Sequence, residues 1–462
     1  MPRTPQSPRT PQTPHPTRTT QLFLASTPYG TATLAAALDS GAFPPADRRI
    51  LLTSNNAATP ETTPALTDSP GFARLRTRFD DVLDWNATIA PMHPGGWSPR
   101  PDDVPLWERQ LRRAWGLAPD EHLTLILESL QVSPAQAVAQ LFPDAPIDVY
   151  ADGLMSYGPT RNKLDPLIGG RVRRLLHLDL VPGLRPLLLR EFDVPAELVP
   201  SEAFLKVLTE LTEDAGDTGD LAAPSEPPAL LLGQYLSALS ILTPEEEEAL
   251  HVRMLRGAVA HGHRHIVFKP HPSAPARWSH LLEREAHLLG AQLTVFEAPL
   301  LAEVLYRRLN PALVVGCFST ALFTAHALYG IPVARVGTEL LLERLTPYEN
   351  SNRIPVTLAD ALLPDLEDPE SPENLRTTTP PRPPADPAPL VAAVGYAMQP
   401  QLLTSQRPYA ESYLRTHFAR RYFKRRRLTA LGLPGGLPRR LAFVPRNPTV
   451  RRVARRARRL LN

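Results

Sequence analysis

The chain has 462 residues, 43% of them hydrophobic, with 50 Lys and Arg against 47 Asp and Glu, 54 prolines and a single cysteine. That length holds about two to three domains with real cores, and the lone Cys317 excludes an intrachain disulfide and a cysteine-based zinc site. The net charge of +3 joins two unlike parts: Gln406 to Asn462 carries 17 basic residues and one acid, Glu411, for +16, while the remainder carries −13, so an acidic body bears a basic arm suited to an anionic surface or polymer.

Residues 1–20 contain six prolines, several Ser and Thr and no acid, a composition that buries no core and predicts disorder. No apolar run follows a basic start, so no secretory leader is expected. Order is expected from Gln21, with Leu22-Phe23-Leu24-Ala25 as a buried strand, a turn over Ser26-Thr27-Pro28-Tyr29-Gly30 and a helix through Ala35–Leu38. Ile50-Leu51-Leu52, Leu123–Leu127 and Ile147–Tyr150 read as further strands. Short apolar runs alternating with helical stretches predict a parallel α/β sheet.

Residues 213–228, rich in Asp, Gly, Pro and Ser, read as an interdomain linker. A second α/β unit begins at Ala229-Leu230-Leu231-Leu232-Gly233. Thr243-Pro244-Glu245-Glu246 predicts an N-cap, a proline at the first helical position and a capping box. Strands at Ile266-Val267-Phe268, Leu293–Phe296 and Leu313-Val314-Val315 alternate with helices from about Ala276 to Gly290, over Leu300–Leu309, and over Ser319–Tyr329 with Gly330 after it. Asn310 to Ala334 lacks Asp, Glu, Lys and Arg, but its Ser, Thr, His, Gly and Pro fit a buried strand, turn and helix better than a membrane span. A Pro-rich linker is expected over 364–392, then a segment 393–430 with a helix from about Gln401 to Tyr422, then a basic tail, 431–462. In that tail Val450, Val453, Ala454, Ala457, Leu460 and Leu461 share a helical face and six arginines fill the rest, the pattern of a helix lying on an anionic bilayer. No aromatic residue interleaves with the terminal arginines, so no nucleic-acid partner is expected; a plain cationic tail is the other reading.

Two α/β domains joined by a linker bind ligands in the cleft at the carboxyl ends of their strands. Three clusters fall at such ends. In Phe268-Lys269-Pro270-His271-Pro272, two prolines hold His271 rigidly, either as a proton donor or cation facing a leaving group or as a structural histidine. In Gly316-Cys317-Phe318-Ser319-Thr320, two hydroxyls at a helix N-terminus suit a phosphate or carboxylate, and serve equally as plain caps. In Val149-Tyr150-Ala151-Asp152-Gly153, an acid before Gly suits a general base and also a common turn. His261, His263 and His265 alternate before a strand, but no acid or Cys completes a metal set. No Walker A sequence, GxGxxG or D-x-D pair is present, so phosphate handling by hydroxyls, a helix end and a cation is expected, with no metal or other cofactor.

Taken in order, these clusters resemble the bacterial sialyltransferases of the GT-B type, and more narrowly the α-2,8-polysialyltransferase family. Asp152-Gly153, His271-Pro272 and Ser319-Thr320 match its acid–Gly, His-Pro and Ser-Ser/Thr motifs, and Ser26-Thr27-Pro28-Tyr29 is similar to its first strand-to-helix loop. Ala151 stands where the family has the first acid of a pair. The resemblance implies two Rossmann-like domains, an acceptor-side domain at 21–212 and a nucleotide-sugar-binding domain at 229–363. It implies inverting transfer from a CMP-activated nonulosonic acid to a glycan or lipid-linked acceptor of the cell envelope. Asp152 would be the base, His271 would support the departing CMP, and Ser319 and Thr320 would hold its phosphate. Ser26, Thr27, Gly233 and Gln234 are further candidates for donor or acceptor contacts; Glu303 is another, though a solvated helix face is its plainer reading. The expected location is cytoplasmic, peripheral on the inner face of the membrane. A CDP-glycerol-type wall polymer transferase shares a His-Pro turn and a later Ser/Thr pair, and a non-catalytic scaffold binding anionic polymer or membrane is the non-enzymatic alternative.

Overall fold

A computed structural model describes residues 18–151, 153–214, 226–271, 277–368, 386–417 and 420–437. Seven strands form the first sheet: β1 Thr19–Ala25, β2 Arg48–Thr53, β3 Asp81–Asp84, β4 His122–Glu128, β5 Ile147–Tyr150, β6 Val172–Leu178 and β7 Ala196–Val199. They pair in parallel in the order β3-β2-β1-β4-β5-β6-β7. Five more, β8 Ala229–Leu232, β9 His265–Lys269, β10 Gln292–Val295, β11 Leu313–Gly316 and β12 Val333–Arg335, form a second parallel sheet in the order β10-β9-β8-β11-β12. Helices cover the faces, so central strands such as Leu22–Ala25 and Leu313–Val315 are buried throughout, as parallel sheets require.

Each sheet reverses direction once. In the first sheet the chain steps outward from β1 on one side and from β4 on the other; in the second it does so from β8 and β11. A crevice opens beyond the strand ends at such a reversal, and ligands of α/β proteins lie there.

The expected central strands are all present, and four further strands join them. Of these β3, β7 and β12 are sheet edges. The fourth, β6, holds Arg173 and Arg174, whose guanidinium groups both bond the buried Asp148 of β5 at 2.9 Å. The first helix begins earlier than expected, at Pro28. Thr27 accepts the Gly30 N–H at 2.9 Å as its cap, so the anticipated turn is already helix. The capping box is as read: Thr243 Oγ1 accepts the Glu246 N–H at 3.2 Å, and Glu246 accepts the Thr243 N–H at 3.0 Å. Asn310 to Ala334 folds as β11, the helix Thr320–Tyr329 and β12. Among the described residues no helix is long and apolar enough to cross a membrane.

Beyond the second sheet the expectations need correction. The helix Ala388–Met398 starts inside the segment read as a Pro-rich linker, because Pro387 and Pro389 occupy its cap and first turn, where no backbone donor is needed. The single helix expected over 401–422 is instead Arg407–Thr416, followed by Arg425–Leu431. This segment docks on both lobes. Tyr422 Oη and Arg421 donate to the buried Asp360 of the second lobe at 2.8 and 3.1 Å. Gln399 Nε2 donates to the Arg161 carbonyl of the first at 2.7 Å. The Pro-rich N-terminus before residue 18, most of the 213–228 linker and the basic tail from residue 438 lie outside the described residues.

Candidate active site

The two crevices are each closed by a side chain that reaches across the strand reversal. In the first lobe Glu128, the last residue of β4, accepts the N–H and the Oγ–H of Ser26 at 2.9 and 2.7 Å. Ser26 directly follows β1, so this pair spans the β1/β4 boundary. In the second lobe Gln234, just after β8, accepts the Phe318 N–H at 2.9 Å, and Phe318 follows β11. Both bonds fix loops at the strand ends where a ligand would sit.

The two lobes approach one another tightly at Gly153. A methyl group built on Gly153 would lie 2.6 Å from Thr320 Oγ1, inside van der Waals contact. Thr320 Oγ1 also accepts the Leu154 N–H at 3.4 Å. The turn after β5 of the first lobe therefore rests on the N-terminus of the helix Thr320–Tyr329 of the second. A side chain here fits only if the Thr320 side chain moves aside. Asp152 lies outside the described residues.

Ser319 caps that helix, accepting the Ala321 N–H at 3.2 Å, so both hydroxyls sit at the helix N-terminus, where the dipole favours an anion. The helix is held from behind. Tyr306 Oη donates to the Ala321 carbonyl at 2.8 Å, and Thr324 Oγ1 donates to Glu303 at 2.7 Å. Glu303 is thus buried, 2% exposed, which corrects the expectation of a solvated helix face. Burial pushes its carboxyl upward, against the Thr324 hydrogen bond and the nearby Lys269 cation. Thr27 is committed as a helix cap.

His271 follows β9, two strands from β11 in the sheet order and hence about 10 Å from the Ser319 strand end. Its ring lies 6.1 Å from the Tyr235 ring. Crowding by protein atoms lowers its pKa, and the Lys269 cation lowers it further, so the free protein presents a neutral imidazole at pH 7. Lys269 itself is drawn down to about 8 by burial, with Glu303 opposing. An arriving anion would reverse that balance and favour the imidazolium.

Of the residues singled out from sequence, Ser319, Thr320, Gly233 and Gln234 gather around one crevice with His271 on the neighbouring strand. Ser26 and Thr27 lie at the other. Cys317 is buried, and burial raises its thiol pKa, so it offers no thiolate. Among the described residues no group of three or more His, Cys, Asp or Glu could hold a metal ion, and His261 bonds the Leu366 carbonyl at 2.9 Å instead. Sequence reasoning missed Glu128, an acid that follows the apolar run Leu125-Ile126-Leu127, and Tyr235. It quoted Lys269 without a role. Glu128 is the register partner of Tyr150, so a carboxylate stands one strand from Ala151, where the family's first acid is absent.

Gly153→Ala should displace Thr320 and lower turnover by on the order of 10²-fold, the usual effect of a misplaced catalytic group, with the melting temperature little changed; a rate within twofold of the parent removes the approach from the mechanism. In Lys269→Met the His271 titration, followed by NMR and identified by its loss in His271→Ala, should move upward, because a cation that opposed protonation is gone. A downward or absent shift contradicts the assigned coupling.

Backbone comparison finds the GT-B domain of a sialyltransferase from Photobacterium damselae at 13% identity, over 74% of this chain and 96% of that one, with a TM-score of 0.40. It also finds the UDP-GlcNAc 2-epimerase of Methanocaldococcus jannaschii at 12% identity, over 77% and 91%, with a TM-score of 0.46. A glycosyltransferase from Rickettsia africae aligns at 12% identity, over 87% and 100%, with a TM-score of 0.37. None of the curated protein sequences matches the chain. The family described as alpha-2,8-polysialyltransferase matches residues 21–338, a span that runs from within β1 through β12 and contains all three strand-end clusters. By that match the chain belongs to the alpha-2,8-polysialyltransferase family, and it is a glycosyltransferase.

Proposed function

We propose that the protein transfers sialic acid or a related nonulosonic acid, with inversion, from a CMP-activated donor to a glycan or lipid-linked acceptor. The observation that carries this reading is the approach of Gly153 to Thr320, which joins the acid-Gly turn of one lobe to the hydroxyl-bearing helix end of the other. In the reaction the acceptor oxygen attacks the anomeric carbon as the bond to the CMP phosphate breaks and its electron pair leaves with CMP. Asp152 takes the proton of the acceptor hydroxyl. Ser319 and Thr320 receive the growing negative charge on phosphate, where preorganised donors act most strongly. His271 donates to a phosphate oxygen, its proton held more tightly as that charge develops. Closure of the lobes would keep water from hydrolysing the donor. The chemistry asks for no cofactor: a helix end, two hydroxyls and an imidazole carry the charge a metal ion would otherwise carry.

The basic tail would hold the enzyme at an anionic membrane surface, beside lipid-linked acceptors of the cell envelope, on the cytoplasmic side. Full-length protein should then sediment with phosphatidylglycerol vesicles and not with phosphatidylcholine. Removal of 438–462 should abolish this and leave transfer to a soluble acceptor, also in EDTA, intact; sedimentation that survives the truncation assigns the contact to the body.

CMP-sialic acid should raise the melting temperature of the protein and CDP-glycerol should not. Asp152→Asn and His271→Ala should each cut turnover by about 10²–10⁴-fold without changing the fold by circular dichroism. Stabilisation by CDP-glycerol alone would instead identify a wall polymer transferase.

A further inference from the structure

The proposed transfer needs an imidazole and two hydroxyls to meet one phosphate, yet they stand on different strands. His271 follows β9 and Ser319 follows β11, and β8 lies between those strands in the sheet. The loop after β8 therefore separates the two halves of the phosphate site, and its shape sets their spacing. It is clasped on both flanks. Toward β9, the Gly233 N–H donates to the Lys269 carbonyl at 2.9 Å, and a methyl group built on Gly233 would lie 3.2 Å from Pro270 Cα. The Tyr235 ring lies 6.1 Å from the His271 ring, tilted by 40°, within the range of a ring contact. Toward β11, Gln234 accepts the Phe318 N–H at 2.9 Å, and Ser319 is next in the chain.

A buried carboxylate holds the same loop from beneath. Glu247, in the first turn of the helix Pro244–Ala260, is 0% exposed. Its Oε1 accepts the Leu236 N–H at 2.7 Å and its Oε2 accepts the Ser237 N–H at 2.8 Å. Two bonds from one planar group to successive N–H groups fix the direction of the loop as well as its place. The Leu236 N–H also lies 2.8 Å from the Gln234 carbonyl, which closes a tight turn with Tyr235 at its apex. The helix N-terminus favours a negative charge at Glu247. Burying a carboxylate is still costly, and apolar residues of similar volume often serve stability as well or better than buried charges. What an apolar residue cannot do is hold two N–H groups in one orientation.

We propose that Glu247 is a positioning residue of the transfer, an inference that rests on the transfer reading above. Fully buried, it acts through Tyr235 and Gln234 and does not touch substrate. By holding Leu236 and Ser237 it keeps Tyr235 against His271 and Gln234 against Phe318, and so keeps the imidazole and the helix end at a spacing that one phosphate bridges. Either half alone binds the phosphate of the ground state. The transition state, in which charge gathers on that phosphate, needs both. Loosening the loop therefore costs rate more than affinity.

The test uses full-length protein carrying Glu247→Gln, which keeps the volume but turns an amide NH₂ toward one of the two N–H donors, and Tyr235→Ala. In Glu247→Gln kcat should fall by about tenfold or more while KM for CMP-sialic acid changes by less than about threefold, the signature of a contact realised only in the transition state. Tyr235→Ala should lower kcat as well, and the double variant should lose less than the product of the two single losses, because both act through one ring. The His271 NMR signal, identified by its loss in His271→Ala and read without substrate, should shift in both variants. A kcat within about twofold of the parent, a rise in KM alone, or losses that multiply would overturn the role. Should Glu247→Gln not fold by circular dichroism, Ser237→Pro, which removes one of the two N–H groups and leaves the carboxylate in place, is read in the same way. If the parent transfers nothing from CMP-sialic acid, the transfer reading fails and the His271 signal alone decides: unmoved in Glu247→Gln it overturns the positioning, and moved it leaves the clasp on the imidazole standing.

Discussion

The site depends on one steric constraint. Gly153 must come close enough to Thr320 that a side chain fits between them only if the Thr320 side chain moves aside. With that approach made, a turn from a seven-stranded sheet and a helix end from a five-stranded sheet share one space. Nearby features serve it. Glu303 and Tyr306 are spent on holding the helix that carries Thr320, by hydrogen bonds of 2.7 and 2.8 Å. Their burial is what makes that hold stiff, since a buried donor or acceptor released from its partner loses more than an exposed one.

The two crevices solve the same problem in the same way. At each strand reversal a side chain at one strand end accepts a backbone N–H from the neighbouring loop, Glu128 from Ser26 and Gln234 from Phe318. Loops at sheet reversals would otherwise splay apart, because the helices behind them diverge to opposite faces. Bridging them by side-chain bonds leaves the floor of each crevice rigid while the space above stays open. The charges are graded around this floor: Lys269 is half-buried, its Nζ over the Phe296 ring and near Glu303, and His271 follows two residues on. A cation set behind an imidazole keeps that imidazole neutral until an anion arrives in front of it.

Much of the scaffold is legible in the residues because the central strands of a parallel sheet are buried on both faces and read as apolar runs. Leu22–Ala25, Ile50–Leu52 and Leu313–Val315 are of this kind. The strands that were not legible are edges, or, in β6, contain arginines whose partner is the buried Asp148 on another strand. No local pattern announces that pairing. Pro387 and Pro389 read as linker for a related reason, since proline marks a helix start and a loop alike until the following residues are seen to pack. The site divides along the same line. Ser319, His271 and Gly153 are visible because each ends a strand beside a small or rigid residue. Glu128 and Tyr235 form no motif, and only the folded chain brings them into play. The solvated face expected for Glu303 fails because its helix is packed on two sides, by Thr324 and by the lobe's own core.

The C-terminal strap has a consequence for how the protein is made. Gln399 bonds a carbonyl 238 residues earlier in the chain, and Gly395 sits where a methyl group would lie 2.5 Å from Leu187. The first lobe therefore emerges from the ribosome with an apolar surface that only the last part of the chain can cover. Until then that surface is open to wrong partners, including the same surface on a neighbouring nascent chain. Maturation of the amino-terminal half thus waits on synthesis of the carboxyl end.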